Sequence, residues 1–533
     1  MHVFAQYIFL ILIILGLVMI ANRIRIAYPI VLVIGGLCLS FSGQFTEITI
    51  QPEMIFFIFL PPLLYEAAWQ VSWKEFWRWR RVITSFAFPV VIITSCVVAF
   101  ASTALIPGFT LAMGFLLGGI VSPPDAVSAT TIMRGVKVPR ALLSIIEGES
   151  LLNDASSLVV FRFALAAVIT GQFHFSEAAG NFLLVIAFGI LIGVAVGFVF
   201  YALHRWLPTT PGIDIVLTLI SPYCMYYAAE HFHMSGVLAV VSGGLLLSSQ
   251  RQRMFSYQTR IQWVNVWTSL VFVFNGLVFF LIGLQLVSVT RDLGDVGLGK
   301  AIAYGMAISL VLIVARLLST FGASGFTRFM SRFIKVADDN PGWKGPLVLG
   351  WAGMRGVVSL AMALSIPMVL PGGEAFPFRN LILFLTFVVI LVTLVLQGLT
   401  LPWLIRKLNM EDKFSPISHE SQEVILQKKM ALAALKRLEE NHSELLQTND
   451  HLRNLRERLK IDVRLLSQQF ELHTPADEYS FNRFTAVYLD LLEHQREILT
   501  RINQHAEFDE ELIRKYLALV DMEEFKVHET KLV

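Results

Sequence analysis

The chain has 533 residues, 55 % of them hydrophobic and 15 % charged, with a formal net charge of +2 and a mean hydropathy of +0.65. Soluble chains run at about 45–50 % apolar and about 25 % charged. Both departures point to lipid and away from an ordinary soluble domain.

Thirteen hydrophobic segments follow in chain order, at about 6–21, 27–41, 52–68, 82–105, 110–132, 141–169, 180–203, 212–230, 235–249, 262–288, 300–322, 345–370 and 379–405. A hydrocarbon core roughly 30 Å thick takes about 20 apolar residues per helix. The fold class expected is therefore all-α: a polytopic membrane protein of about 13 transmembrane helices. The opening MHVFAQ has no basic stretch and no cleavage signal follows, so the first segment is expected to be a retained helix. Cys38, Cys96 and Cys224 all lie within apolar runs and suggest neither a disulfide framework nor a metal site.

The loops set an expected orientation. Seventeen Lys and Arg residues fall in one set of alternate loops, from Arg23 to Lys344, and three (Arg291, Lys300 and Arg379) in the other. Basic loops stay in the cytoplasm, which places the amino terminus outside and the carboxyl terminus inside the cell (inner) membrane. Trp73–Arg81, WKEFWRWRR, lies in the basic set; its interleaved aromatics read as an interfacial anchor rather than a nucleic-acid surface. Residues 411–533 carry 24 Asp and Glu against 17 Lys and Arg, with Val424, Ile425, Met430, Leu432, Leu435 and Leu438 at helical spacing. They are expected to form a helical cytoplasmic regulatory domain, partly coiled coil, beside a 1–410 exchange domain.

Ten ionisable residues lie in or beside the apolar segments: Glu66, Asp125, Glu147, Glu149, Asp154, Arg162, Asp214, Glu230, Arg316 and Arg355. Each is costly in lipid unless paired or hydrated, and so is a functional candidate. Asp214 and Glu230, near helix ends, are expected to snorkel, while Arg162 has no evident partner.

Asp125 follows Pro123 and Pro124, which remove two backbone donors and forbid a regular helix. Broken backbone at membrane depth lines a cavity or is buried in protein, and such helices are where transporters hold ions. A plain proline kink capped by Asp125 is a compatible reading. In EGESLLNDASSLVVF, Glu149 and Asn153 stand four apart, as do Ser150 and Asp154, giving a polar stripe on an apolar helix. Carboxylate, hydroxyl and amide oxygens suit an alkali cation. Counting 1.5 Å per residue from about residue 141 puts Asp154 roughly 20 Å along, near the midplane.

LPPLLYEAA, SPPDAV, GESLLND and WAGMRGVVSLA, four motifs in the right order across residues 1–410, resemble the signature segments of NhaP-like sodium/proton antiporters of the monovalent cation:proton antiporter family. The resemblance implies inverted repeats with discontinuous crossing helices, a dimerisation domain, a mobile core domain and alternating access. It implies exchange of Na+ (or K+ or Li+) for H+, serving pH and cation homeostasis, by a homodimer that is no enzyme and needs no cofactor. Residue by residue, Asp154 resembles the essential ion-binding aspartate, Asn153 its partner, Ser150 and Glu149 auxiliary ligands, and Asp125 the aspartate of the unwound helix, with Na+ held at Asp154, Ser150 and Asp125. Glu66 and Arg316 resemble a buried core ion pair and Arg355 the basic residue of the second crossing helix; which arginine faces Glu66 stays open. The family often has Thr-Asp-Pro where this chain has Pro124-Asp125-Ala126, so the threonine hydroxyl is missing. Because asparagine does not titrate, the Asn153-Asp154 pair implies one cation for one proton, with Asp125 staying ionised. Two other classes compete. An intramembrane aspartyl-type enzyme lacks a GxGD segment, and a non-transporting sensor has no need of a broken helix.

Overall fold

The computed structural model describes residues 2–24, 26–41, 55–133, 135–136, 138–171, 175–284, 290, 293, 296–333, 337–338, 341–370, 372–410, 419–471, 475–502 and 510–531. The ends of two predicted segments, 52–54 and 285–288, lie outside them, as do Arg25, Arg134, Lys137, Arg291 and Lys335 of the loops. The chain divides into two compact units, Met1–Asp412 and Lys413–Val533.

The first unit is helical throughout, with no strand among the described residues beyond an isolated bridge between Val369 and Ala375. Its elements are α1 (His2–Ile24), α2 (Tyr28–Ser40), α3 (Leu60–Gln70, entered through one π turn at Ile55–Phe59), α4 (Trp73–Leu105), α5a and α5b (Leu111–Val121 and Ala126–Met133), and α6 (Arg140–Thr170). Then follow α7 (Phe175–Trp206), α8 (Pro211–His231), α9 (Gly236–Met254), α10 (Tyr257–Leu284), α11 (Leu298–Met330), α12a and α12b (Lys344–Trp351 and Val357–Leu364), and α13 (Arg379–Leu408). Each of the thirteen apolar segments coincides with a helix or a broken helix. By length and composition alone, 8 of these among the described residues reach a bilayer's thickness. Helix α4 starts at Trp73, nine residues before its predicted apolar start, because the aromatic and basic anchor is itself helical.

Local chemistry sets the ends. The Thr210 and Ser235 hydroxyls accept from Ile213 N and Leu238 N, capping α8 and α9, and Gly171 closes α6 in the left-handed conformation. Pro89 sits inside a π turn, Phe86–Val90, that bends α4.

Packing sorts these helices into two groups. One holds α4, α5, α6, α11, α12 and α13; the other holds α1, α2, α3, α7, α8, α9 and α10. Within the second, α2 and α10 meet backbone to backbone: a Cβ on Gly283 would stand 2.1 Å from Val33 O. Small residues permit such approach where lipid removes the hydrophobic drive between helices. The second unit consists of α14 (His419–Asn441), α15 (Ser443–Thr448), α16 (Asp450–Glu471), α17 (Pro475–Ile502) and α18 (Glu510–Lys531). Here α14 packs on α16, and Arg496 of α17 ties to Asp521 of α18 at 2.8 Å.

Candidate cation site at the crossing of two broken helices

The two broken helices cross at their unwound stretches. Asp125 N donates to Met354 O at 2.7 Å, and Arg355 Nε donates to Val121 O at 2.5 Å. Arg355 also donates through Nη1 to Gly353 O at 2.7 Å, and its backbone N reaches the Thr393 hydroxyl at 3.2 Å. Backbone groups that a continuous helix would satisfy internally are thus satisfied across the crossing. Gly356 makes the approach possible, since a Cβ there would lie 2.2 Å from Asp125 Oδ2.

Asp125 caps α5b. Its Oδ1 accepts from Val127 N at 3.0 Å and its Oδ2 from the Ser128 hydroxyl at 2.8 Å. The Ser150 hydroxyl accepts from Ala126 N at 3.2 Å, and the Asn153 amide donates to Pro124 O at 3.1 Å. Helix α6 therefore holds the break between Val121 and Ala126 at Pro124 and at Ala126, through side chains three residues apart. The Asn153 Oδ1 is buried with no hydrogen-bond partner among the described residues. Asp154 is 7 % exposed, and its carboxylate accepts no hydrogen bond among the described residues. It lies close enough to Asp125 for their charges to act on one another. The crossing encloses a cavity of about 10 Å³ lined by Pro124, Asp125, Glu149, Ser150 and Arg316 among others. That is room for about one water.

Arg316 corrects the expected ion pair. Its carboxylate partner is Glu149, not Glu66: Nη2 donates to Oε2 at 2.7 Å, and Nη1 lies 2.5 Å from Oε1 at an angle too poor for a hydrogen bond. Both side chains are almost fully buried, 3 % and 1 % exposed. Glu149, expected as an auxiliary ligand, thus has both oxygens beside the guanidinium while it also lines the cavity at the crossing. The reason is packing: α11 lies on α4 and α12a, with the Arg316 guanidinium over the Phe86 ring, and there it meets Glu149 of α6. Glu66 is buried on α3, in the other helix group, and accepts from Gln70 one turn along. Glu147 is half-buried on α6.

Two further corrections concern charges expected to snorkel or left unassigned. Arg162 meets Glu230, with Nη2 at 2.7 and 2.8 Å from the two carboxylate oxygens, and so joins α6 to α8 across the helix groups. Asp214 is buried, accepting from the Thr259 hydroxyl at 3.0 Å and lying 2.9 Å from His204 Nδ1. His204, Thr259 and Thr393 were not singled out in the sequence. The one signal for the first is a histidine ten residues before an aspartate at a helix boundary, which does not by itself show that the two helices fold back on each other.

The chain is similar to known proteins in sequence and in fold. The family described as "Sodium/hydrogen exchanger, transmembrane" matches residues 9–407. The chain is 33 % identical over 490 residues to a sodium, potassium, lithium and rubidium/H(+) antiporter of Bacillus pumilus, an alignment covering 87 % of this chain and 72 % of that one. It is 32 % identical over 389 residues to the Na(+)/H(+) antiporter ApNhaP of Aphanothece halophytica, covering 72 % and 70 %. The fold matches that of the sodium proton antiporter MjNhaP1 from Methanocaldococcus jannaschii with a TM-score of 0.60 at 17 % identity, over 77 % of this chain and 100 % of that one.

Proposed function

This chain belongs to the sodium/hydrogen exchanger family and is a multi-pass monovalent cation/proton antiporter, not an enzyme, and we propose that it works by alternating access at Asp154. One observation carries the reading: Asp154 and the Asn153 amide oxygen stand beside the helix crossing with no hydrogen-bond donor engaged among the described residues, while Asp125 nearby is held by two. A carboxylate fixed by donors serves as a constant charge, whereas an unengaged one takes a proton or a cation in turn. Asp154 is thus the alternating group, with Asn153, Ser150 and Asp125 as oxygen ligands for Na+ as substrate. The relative's name suggests that K+ and Li+ also be tested as cargo.

Exchange is one cation for one proton, because Asn153 does not titrate. The helix group carrying the site moves against the other, and the Glu149–Arg316 pair keeps the moving group rigid. The thirteen segments all cross the cell (inner) membrane, with the amino terminus outside, as the loop charges favour. The protein is a homodimer without a cofactor, Lys413–Val533 regulates it from the cytoplasm, and the exchange serves pH and cation homeostasis. The test is cation-driven proton movement in vesicles carrying a pH dye, with Na+, K+ and Li+ in turn. Wild type should respond and Asp154→Asn should not; equal responses would remove Asp154 from the mechanism.

A further inference from the structure

A second cavity lies away from the crossing. It measures about 690 Å³, within the roughly 300–1,000 Å³ range of ligand pockets. Its walls come from both helix groups: Pro89 of α4 and Leu152 of α6 on one side, Ile190 of α7 and Leu238 of α9 on the other. Two of the hydroxyls along it are turned to backbone, Thr84 to Arg80 O at 2.6 Å and Ser242 to Ile190 O at 3.2 Å, and most of the lining residues between the helix groups are apolar.

One end of the slot differs in chemistry. Trp73, Trp77, Arg80 and Arg81 line it there, at the start of α4. Residues 73–81 hold Lys74, Arg78, Arg80 and Arg81 against the single acid Glu75. Glu75 is directed to Arg78 at 4.0 Å and to the Trp79 indole at 3.2 Å, not to Arg80. Arg80 is held at the mouth by donating to Trp77 O at 2.5 Å, with its guanidinium 4.5 Å from the centre of the Trp77 ring. An apolar slot in a membrane takes hydrocarbon, and an arginine pair ringed by tryptophans at its end takes an anionic phosphate at headgroup depth.

We propose that this slot is a binding site for one anionic phospholipid, its acyl chain between α4–α6 and α7–α9 and its phosphate on Arg80 and Arg81. The occupant would lie between the two helix groups, against Leu152, which is the neighbour of Asn153. The site does not depend on which ion is exchanged.

The experiment uses the full chain purified in detergent. Phosphatidylglycerol and phosphatidylcholine with identical acyl chains are added separately, and lipid retained per folded protein is read by native mass spectrometry alongside the melting temperature. Phosphatidylglycerol should be retained and raise the melting temperature; phosphatidylcholine and inorganic phosphate should do neither. Arg80→Gln with Arg81→Gln should weaken retention about tenfold or more, and Arg80→Lys with Arg81→Lys should keep most of it. Ile190→Trp, which fills the slot from a lipid-exposed position and leaves the arginines alone, should also reduce retention. Equal retention of the two lipids, or wild-type retention in both the glutamine and tryptophan variants, would overturn the proposal. So would a response to inorganic phosphate matching that to the lipid.

Discussion

Arg316 of α11 donates to Glu149 of α6 at 2.7 Å, and Glu149 stands five residues before Asp154 on the same helix. The pair thereby locks the position of the helix that carries Asp154, and because it is buried its two charges depend on one another. Removing one partner of such a pair costs about 3–5 kcal/mol, whereas replacing both by apolar residues is often close to neutral. Arg316→Ala should therefore lower the melting temperature and yield sharply, and Glu149→Leu with Arg316→Met should regain most of that loss. Melting curves in detergent decide it; a double variant as unstable as the single one would mean that the pair does more than neutralise charge.

Asp154→Asn should reduce exchange to background while leaving a protein that elutes and melts as wild type, because the side chain makes no hydrogen bond among the described residues for the fold to lose. On the proposed mechanism, protons and cations compete for this one carboxylate. The apparent KM for the cation should accordingly rise as pH falls, with maximal rate changing less. A KM independent of pH across the active range would argue for separate proton and cation sites.

Gly356→Ala places a methyl group 2.2 Å from Asp125 Oδ2. Either Asp125 leaves its capping position on α5b or the two broken helices separate. Both outcomes disturb the site, so exchange should fall at least tenfold, an effect larger than the roughly 0.5 kcal/mol that an ordinary surface substitution would bring. Retained transport would show that the crossing yields more readily than its backbone hydrogen bonds suggest.

One-for-one exchange moves no net charge. Each elementary charge crossing the membrane is worth about 2.3 kcal/mol per 100 mV, so an imposed potential would strongly bias any other stoichiometry. Proton movement in sealed vesicles should be the same with and without a potassium–valinomycin potential, using a cation other than potassium as substrate. A potential that drives or halts exchange would point to Asp125 as a second proton carrier.

Cutting after Asp412 removes the second unit but keeps Leu408, whose carbonyl accepts from Lys344 Nζ at 2.8 Å. All of the proposed ligands precede that point. The shortened protein should still exchange, with altered pH dependence or cation affinity, and a well-folded truncation without flux would assign the second unit a direct part in transport.

Much of this protein was determined by local chemistry that a sequence displays. Apolar length specified the helices of the first unit, since lipid leaves the backbone few alternatives. Pro123 and Pro124 specified where α5 breaks, because they carry no N–H. The spacing of Glu149, Ser150, Asn153 and Asp154 put four oxygen-bearing side chains on consecutive turns of one helix. Pairing across helices was another matter. Glu66 and Glu149 are both single carboxylates in apolar segments, and nothing in their spacing says which one meets an arginine 167 residues beyond Glu149. Likewise Asp214 and Glu230 both sit near the ends of α8, yet one is buried against His204 and Thr259 and the other bridges to Arg162. A buried charge takes whichever partner the packing of other helices presents, so these choices belonged to the tertiary structure alone.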